Sequence, residues 1–265
     1  MENLLRRVLH PNGRVSRHPG GAANEYADAP PPALVTLHVW GVPWHHVPTA
    51  VGHMALDPRA VRSAPGVLFS KSLGTADGGT FAPSDTDPRH WGLLVCWERP
   101  EHAARFEHSR TARAWHAVAD ETLRVELTPL SSRGTWAGRA PFGSPAGARP
   151  EGPVASITRA RIRPSMLRRF HAAVPSVAAD LTRQEGLLLA LGVGEAPVAL
   201  QGTFSIWASD EELRTFAHRG APHRGAITAT TELGWYSEEL FARFAVQRVD
   251  GTYRGRPVAL PGVRG

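Results

Sequence analysis

The chain repeats itself. Pro65-Gly66-Val67-Leu68-Phe69 running on to Gly74 is matched by Glu185-Gly186-Leu187-Leu188-Leu189 running on to Gly194. Gly92-Leu93-Leu94-Val95-Cys96-Trp97 is matched by Gly202-Thr203-Phe204-Ser205-Ile206-Trp207. Each of these tryptophans is followed nine residues on by a phenylalanine, Phe106 and Phe216. Gly134-Thr135-Trp136-Ala137-Gly138-Arg139 then returns as Gly251-Thr252-Tyr253-Arg254-Gly255-Arg256. Matches in a conserved order mark an internal duplication, so the architecture must be built from two copies of one supersecondary unit. The second interval is about ten residues longer in the first copy, which places an insertion around Asp77 to Arg89.

Within each copy the hydrophobic period alternates between strand and helix. Leu34 to Gly41 predicts a strand, Val47, Ala50, Val51 and Met54 a helical stripe, and Val67 to Leu73 and Leu93 to Trp97 two further strands. Pro100 predicts the start of one helix through Ala103, Phe106 and Trp115, and Leu123 to Leu130 a closing strand. The second copy predicts strands at Val154 to Ile162, Leu187 to Val193, Thr203 to Trp207 and Leu240 to Val249. Its helices are a stripe from Leu167 to Leu181 and a region from Asp210 that breaks near Gly220 and Pro222. The order βαββαβ is that of a ferredoxin-like unit. The expected fold is therefore α+β: two tandem ferredoxin-like units packed as an intramolecular dimeric α/β-barrel-like arrangement, sheet against sheet, with an apolar cavity between them. The predicted organisation is a flexible arm over 1–33, a first unit over 34–142, a linker over 143–152 and a second unit over 153–258.

Charge narrows the function classes less than it first suggests. The 265 residues carry a formal net charge of +6, but Lys71 is the only lysine and the arginines are scattered among Ala, Gly and Pro rather than blocked together. That pattern reads as compositional bias on a solvated surface, and no nucleic-acid partner is expected. One cysteine, Cys96, excludes intramolecular disulfides and cysteine-only metal cages. The absence of a long apolar run and of a signal-like start predicts a soluble, cytoplasmic chain.

The 13 histidines are about double ordinary usage, but their spacing does not form a zinc-binding helix. His45, His46, His90, His102, His108 and His116 are expected in ordinary surface or core roles. Ala217-His218-Arg219-Gly220-Ala221-Pro222-His223-Arg224 stands apart, because its counterpart near Arg113 has no histidine. Pro222 would place His223 at the first turn of a short helix, as a ligand facing the sheet or as a simple cap. Lys71, alone inside an apolar strand, calls for an anionic partner: a substrate carboxylate, a propionate or a local Asp. Arg159 and Arg161 share one strand face, as a solvated edge or as anion partners. Glu195 and the pair Glu238-Glu239 are weaker acid candidates. Gly192-Val193-Gly194 lacks the third glycine and the following helix of a dinucleotide fingerprint, and neither a phosphate-binding loop nor a nucleophile elbow is present.

From about Leu34 to Pro257 the chain resembles the spheroidene monooxygenase (acyclic carotenoid 2-ketolase) family. The resemblance rests on the Lys71 strand with Leu73-Gly74-Thr75, the Trp136-Ala137-Gly138 turn before Pro141-Phe142, and Ile157-Thr158-Arg159-Ala160. It continues through Gly192-Val193-Gly194-Glu195-Ala196-Pro197, Thr203-Phe204-Ser205-Ile206-Trp207, Gly220-Ala221-Pro222-His223 and Trp235-Tyr236-Ser237-Glu238-Glu239-Leu240-Phe241-Ala242-Arg243-Phe244. It implies a haem-dependent monooxygenase that takes electrons from a donor such as ferredoxin and inserts oxygen from O2 into an apolar substrate, an acyclic carotenoid or another specialised metabolite. It further implies His223 as the iron ligand and Lys71 or Arg159 as propionate partners. Phe204, Trp207 and Trp235 would line the cavity or belong to the core. Aldoxime dehydration, nitrogen oxidation, cofactor-free oxygenation and non-catalytic haem or apolar-ligand binding stay open beside it, as do peripheral membrane contact and homodimer formation. The long amino-terminal arm and the arginine-rich surface depart from the family pattern.

Overall fold

The computed structural model describes residues 30–76, 85–145, 147, 150–166, 181, 183–195, 200–219 and 236–260. The first half runs β1 (Leu34–Gly41), α1 (Val47–Arg62), β2 (Val67–Ala76), β3 (Thr86–Trp97), α2 (Pro100–Phe106), α3 (Arg110–Val118) and β4 (Glu121–Gly134). The second runs β5 (Val154–Ile162), β6 (Leu187–Gly194), β7 (Leu200–Trp207), α4 (Asp210–Arg219) and β8 (Tyr236–Tyr253), with a short β9 (Arg256–Pro257) folded back on β8. The fold is mixed α+β, mostly antiparallel sheet with few described helices.

The strands of the two halves follow the same order, β4-β1-β3-β2 and β8-β5-β7-β6. Even the irregularities repeat. A register shift between Val67 and Phe69 recurs between Leu187 and Leu189, opposite Trp97 in one half and Trp207 in the other. The halves join twice. β2 pairs with β6 from Gly74↔Gly194 to Ala76↔Gly192, and β4 pairs with β8 from Leu123↔Gly251 to Gly134↔Leu240, closing the sheet on itself.

Closure decides what lies inside. A barrel of about eight strands is just wide enough for side chains to fill it. Its interior is packed with Leu37, Leu94, Trp136, Phe142, Phe204 and Phe244, all buried. The space between the two sheets, where an apolar cavity was expected, holds this buried apolar cluster. Phe142 and Phe244 meet edge to face at 4.9 Å.

Outside the barrel, α1, α2 and α3 cover the first half's sheet. β1 is buried at every position, because one face lies on the barrel core and the other on helices. The single helix expected from Pro100 to Trp115 is two. The chain turns at 107–109, and the Ser109 hydroxyl accepts from the Ala112 amide at 3.1 Å to start α3. Strand β3 begins at Thr86, so the later part of the predicted insertion extends this strand. The Leu167 to Leu181 stripe lies outside the described residues except for Leu181. No helix among the described residues is long and apolar enough to cross a membrane.

Candidate functional site

Lys71 and Arg159, which the sequence sets far apart, meet on one carboxylate. Lys71 projects from the inner face of β2 and donates to Glu195 Oε2 at 2.5 Å. Arg159, on the inner face of β5 and only 2% exposed, donates through one terminal nitrogen to Glu195 Oε1 at 2.7 Å and through the other to Glu238 Oε2 at 2.5 Å. The Trp136 indole also donates to Glu195 Oε1 at 2.7 Å, and the Arg159 guanidinium lies over its ring at 5.3 Å. Burial pushes the Glu195 carboxyl up, but Lys71, Trp136 and Arg159 more than offset this and hold it below the usual carboxylate range. Glu238 is held down in the same way against burial, by the Gly138 amide and Arg159. Both acids are therefore anions. The anionic partner that Lys71 called for is supplied within the chain, by a glutamate, Glu195, and not by an aspartate.

Arg159 belongs neither to an edge nor to solvent, since β5 runs between β7 and β8; Arg161, two residues on, is exposed and 3.9 Å from Glu238. This network ties three pieces of chain at one end of the barrel: the first half through Lys71, the second through Arg159 and Glu195, and the hairpin after β4 through Trp136. Its signal in the sequence was the lone lysine and the Gly-Thr-Trp-Ala-Gly-Arg landmark. Glu195 and Glu238 stood in the sequence only as minor acid candidates.

At the other end, His90 sits between two carboxylates, with Nδ1 2.8 Å from Asp87 and Nε2 2.8 Å from Glu121. Glu121 also accepts from Thr252, Arg254 N and Gly255 N in the hairpin after β8. Burial pushes the His90 imidazole down, but the two acids reverse this and raise it above its ordinary value. His90, placed in the sequence among ordinary histidines, is a clasp between two acids.

The outer faces of the two sheets differ. The registers correspond one to one, with Val154↔Trp207 matching Leu34↔Trp97 and Leu187↔Trp207 matching Val67↔Trp97. On the outward-facing positions, His38, Trp40, Leu93, Val95 and Ser72 of the first half become Thr158, Ala160, Thr203, Ser205 and Gly192 in the second. Each replacement is smaller. In the first half these side chains form a packed layer: Trp40 stacks on Trp115 at 4.9 Å and on His38 at 5.3 Å, beneath α1 and α3. In the second half they leave a low floor of hydroxyls and methyls. Trp207 remains, fully buried, donating to Ser205 Oγ at 2.9 Å and packing with Leu213 of α4 at the margin of that floor. Arg243 ties the start of α4 to the sheet through Asp210.

The other candidates can be placed against this geometry. Phe204 points into the filled barrel, and Trp207 lies on the outer face beside the floor. His223 and Trp235 lie outside the described residues. Among the described residues no group of three or more His, Cys, Asp or Glu side chains could hold a metal ion. Cys96 is enclosed in the barrel core, where burial pushes its thiol up. His38, His53 and His90 are all engaged with protein partners.

No family model matches the chain. It is 34% identical over 213 residues to a spheroidene monooxygenase of Rhodobacter capsulatus, covering 79% of this chain and 88% of the relative. It is 38% identical over 194 residues to a spheroidene monooxygenase of Rubrivivax gelatinosus, covering 72% of this chain and 73% of the relative. Among solved structures, an aldoxime dehydratase shares the fold, with a TM-score of 0.53 at 12% identity over 91% of this chain and 90% of its own. The shared length and identity with the two curated relatives settle the affiliation: this chain belongs to the spheroidene monooxygenase family.

Proposed function

We propose that the chain is a haem-dependent monooxygenase that inserts an oxygen atom from O2 into an apolar substrate of the acyclic carotenoid kind, using electrons from a ferredoxin-type donor. We further read each half as a ferredoxin-like unit, a reading supported by the repeated strand order. The observation that carries the functional reading is the outer face of the second half. Where one of two equivalent sheets loses its bulk at Thr158, Ala160, Gly192, Thr203 and Ser205 while the other keeps it, the smaller side chains favour a flat apolar group on that face. Family membership supports a monooxygenase, and the stripped face fits a porphyrin better than the filled barrel does.

Bound there, haem would supply the chemistry of O2 activation. The chain's own part is to bind and orient. Ser156 and Ser205, linked through their hydroxyls at 2.9 Å, give the floor polar points between methyl groups. Trp207 and Leu213 wall its margin. His223, which follows α4 by four positions in the sequence, is the proposed iron ligand. Lys71 and Arg159 face the barrel interior, on the other side of the sheet, so we assign them to joining the halves rather than to propionates.

The test is a purified protein with a Soret band and about one haem per chain, which with reductant and ¹⁸O2 transfers label into spheroidene. Protein that retains no haem when supplied with it, or product formed without O2, overturns the reading. A His223→Ala variant with an unchanged haem spectrum overturns the ligand assignment alone.

A further inference from the structure

The large apolar side chains exposed among the described residues are gathered in one place. Trp44 is 68% exposed, Val51 51% and Leu56 77%; the first lies in the turn that opens α1 and the others on α1 itself, while Leu68 is the second residue of β2. At about 100° per residue, Pro48, Ala55 and Leu56 fall on the side of the helix opposite Ala50 and Val61, which are buried, and Val51 lies on the flank of that side. This stripe continues at its carboxyl end into Arg59 and Arg62, both exposed on the same side.

The acidic side of the helix is turned away. Asp57 is the only acid in α1, and its carboxylate points inward, accepting from His53 Nδ1 at 3.0 Å and from the Trp115 indole at 3.1 Å. The outward face of α1 therefore presents aliphatic groups and Thr49, with Arg59 and Arg62 as its charges, and Trp44 stands in the turn before it.

We infer that α1 is a docking surface for an anionic lipid bilayer, on which the helix lies flat. Trp44 suits the headgroup level, where amphipathic rings concentrate. Val51 and Leu56 reach the acyl boundary, and Arg59 and Arg62 pair with anionic headgroups while their stems stay in apolar surroundings. The charge is complementary to a negative lipid surface. A convex stripe one helix wide also fits a deformable headgroup layer better than the pocketed surface of a protein partner. The assignment is independent of the haem site, which lies in the other half, but it would bring a lipid-dissolved substrate to the enzyme.

Full-length protein should sediment with vesicles of phosphatidylcholine and phosphatidylglycerol, less with phosphatidylcholine alone, and less again at high salt. A Trp44→Ala/Leu56→Ser variant should bind on the order of tenfold more weakly, with an unchanged thermal melt because both side chains are exposed. Arg59→Gln/Arg62→Gln should lose mainly the preference for the anionic lipid. Wild-type protein that leaves anionic vesicles unbound, or a Trp44→Ala/Leu56→Ser variant that binds as wild type does, overturns the inference. If vesicles stay unbound while an acidic ferredoxin binds in a Trp44- and Leu56-dependent way, the surface is a protein dock and the lipid assignment is wrong. None of these outcomes depends on haem content or turnover.

Discussion

Glu121 and Glu238 occupy the same position in the two halves, and each is held by the hairpin of the opposite half. Thr252 and the Gly255 amide reach Glu121, both at 2.7 Å; Thr135 and the Gly138 amide reach Glu238, at 3.1 and 2.8 Å. The two clasps differ in their cation, His90 for Glu121 and Arg159 for Glu238. Only the first is built on an imidazole, the side chain whose charge changes near neutral pH.

The His90 clasp should make stability depend on pH at the alkaline end. Its folded pKa is raised, so its contribution is complete below the ordinary histidine value and is lost as pH rises through the raised one. Asp87 and Glu121 are lowered, so theirs is present above the ordinary carboxylate range and lost only in acid. The Arg254 guanidinium and the Arg89 backbone amide also bond Asp87. Urea midpoints measured across the alkaline limb should fall for the wild type, and His90→Gln should flatten that fall.

His38 sets the opposite slope. Burial, with Arg124 and His116 nearby, pushes its pKa down to about 3 from 6.5, so the folded protein holds it neutral. Stability should drop as pH falls below the ordinary value, because the unfolded chain takes up the proton first. A His38→Leu variant should show a shallower acid limb in the same measurement, whatever it costs at neutral pH.

Removing Glu238 should be expensive, because Arg159 is fully enclosed and keeps only Glu195. Breaking a buried pair by taking out one partner costs about 3 kcal/mol or more, so Glu238→Ala should lower the unfolding free energy by that amount. Arg161→Gln, at an exposed residue 3.9 Å from the same carboxylate, should change it by less than about 1 kcal/mol.

The hairpin glycines separate two effects. Gly134 and Gly251 have φ of +87° and +89°, and a β-carbon on either would overlap the carbonyl oxygen of Glu239 or Thr122. Gly138 and Gly255 both have φ of +71° with open space around them. Alanine at the first pair should cost more than about 2 kcal/mol, and at the second about 1 kcal/mol from the left-handed backbone alone. Equal losses at all four sites would contradict this.

Restoring the first half's bulk to the second half tests the floor directly. Ala160→Trp with Thr203→Leu should keep the melting profile cooperative while haem binding weakens on the order of tenfold or more. Trp40→Ala, the reverse change in the first half, should cost about 3–5 kcal/mol without altering haem content, since Trp40 packs against Trp115.

The sequence by itself determined the duplication and the local periods, since both are written in neighbouring residues. The strand from Val154 to Ile162 and the start of the helix at Asp210 stand where alternation and first-turn acids place them. Ser109 starts a new helix where the apolar spacing alone would carry one helix on, because a cap is a local hydrogen bond that periodicity does not register. Tertiary structure decided everything that depends on which strand meets which. Closure of β4 on β8 enclosed the buried apolar cluster, and strand register gathered Lys71, Trp136, Arg159 and Glu195 from four separate segments. Only the paired registers showed that Ala160 stands where Trp40 does. Side-chain volume becomes a pocket or a core only against the layer that faces it, and that layer is set by contacts far apart in the chain.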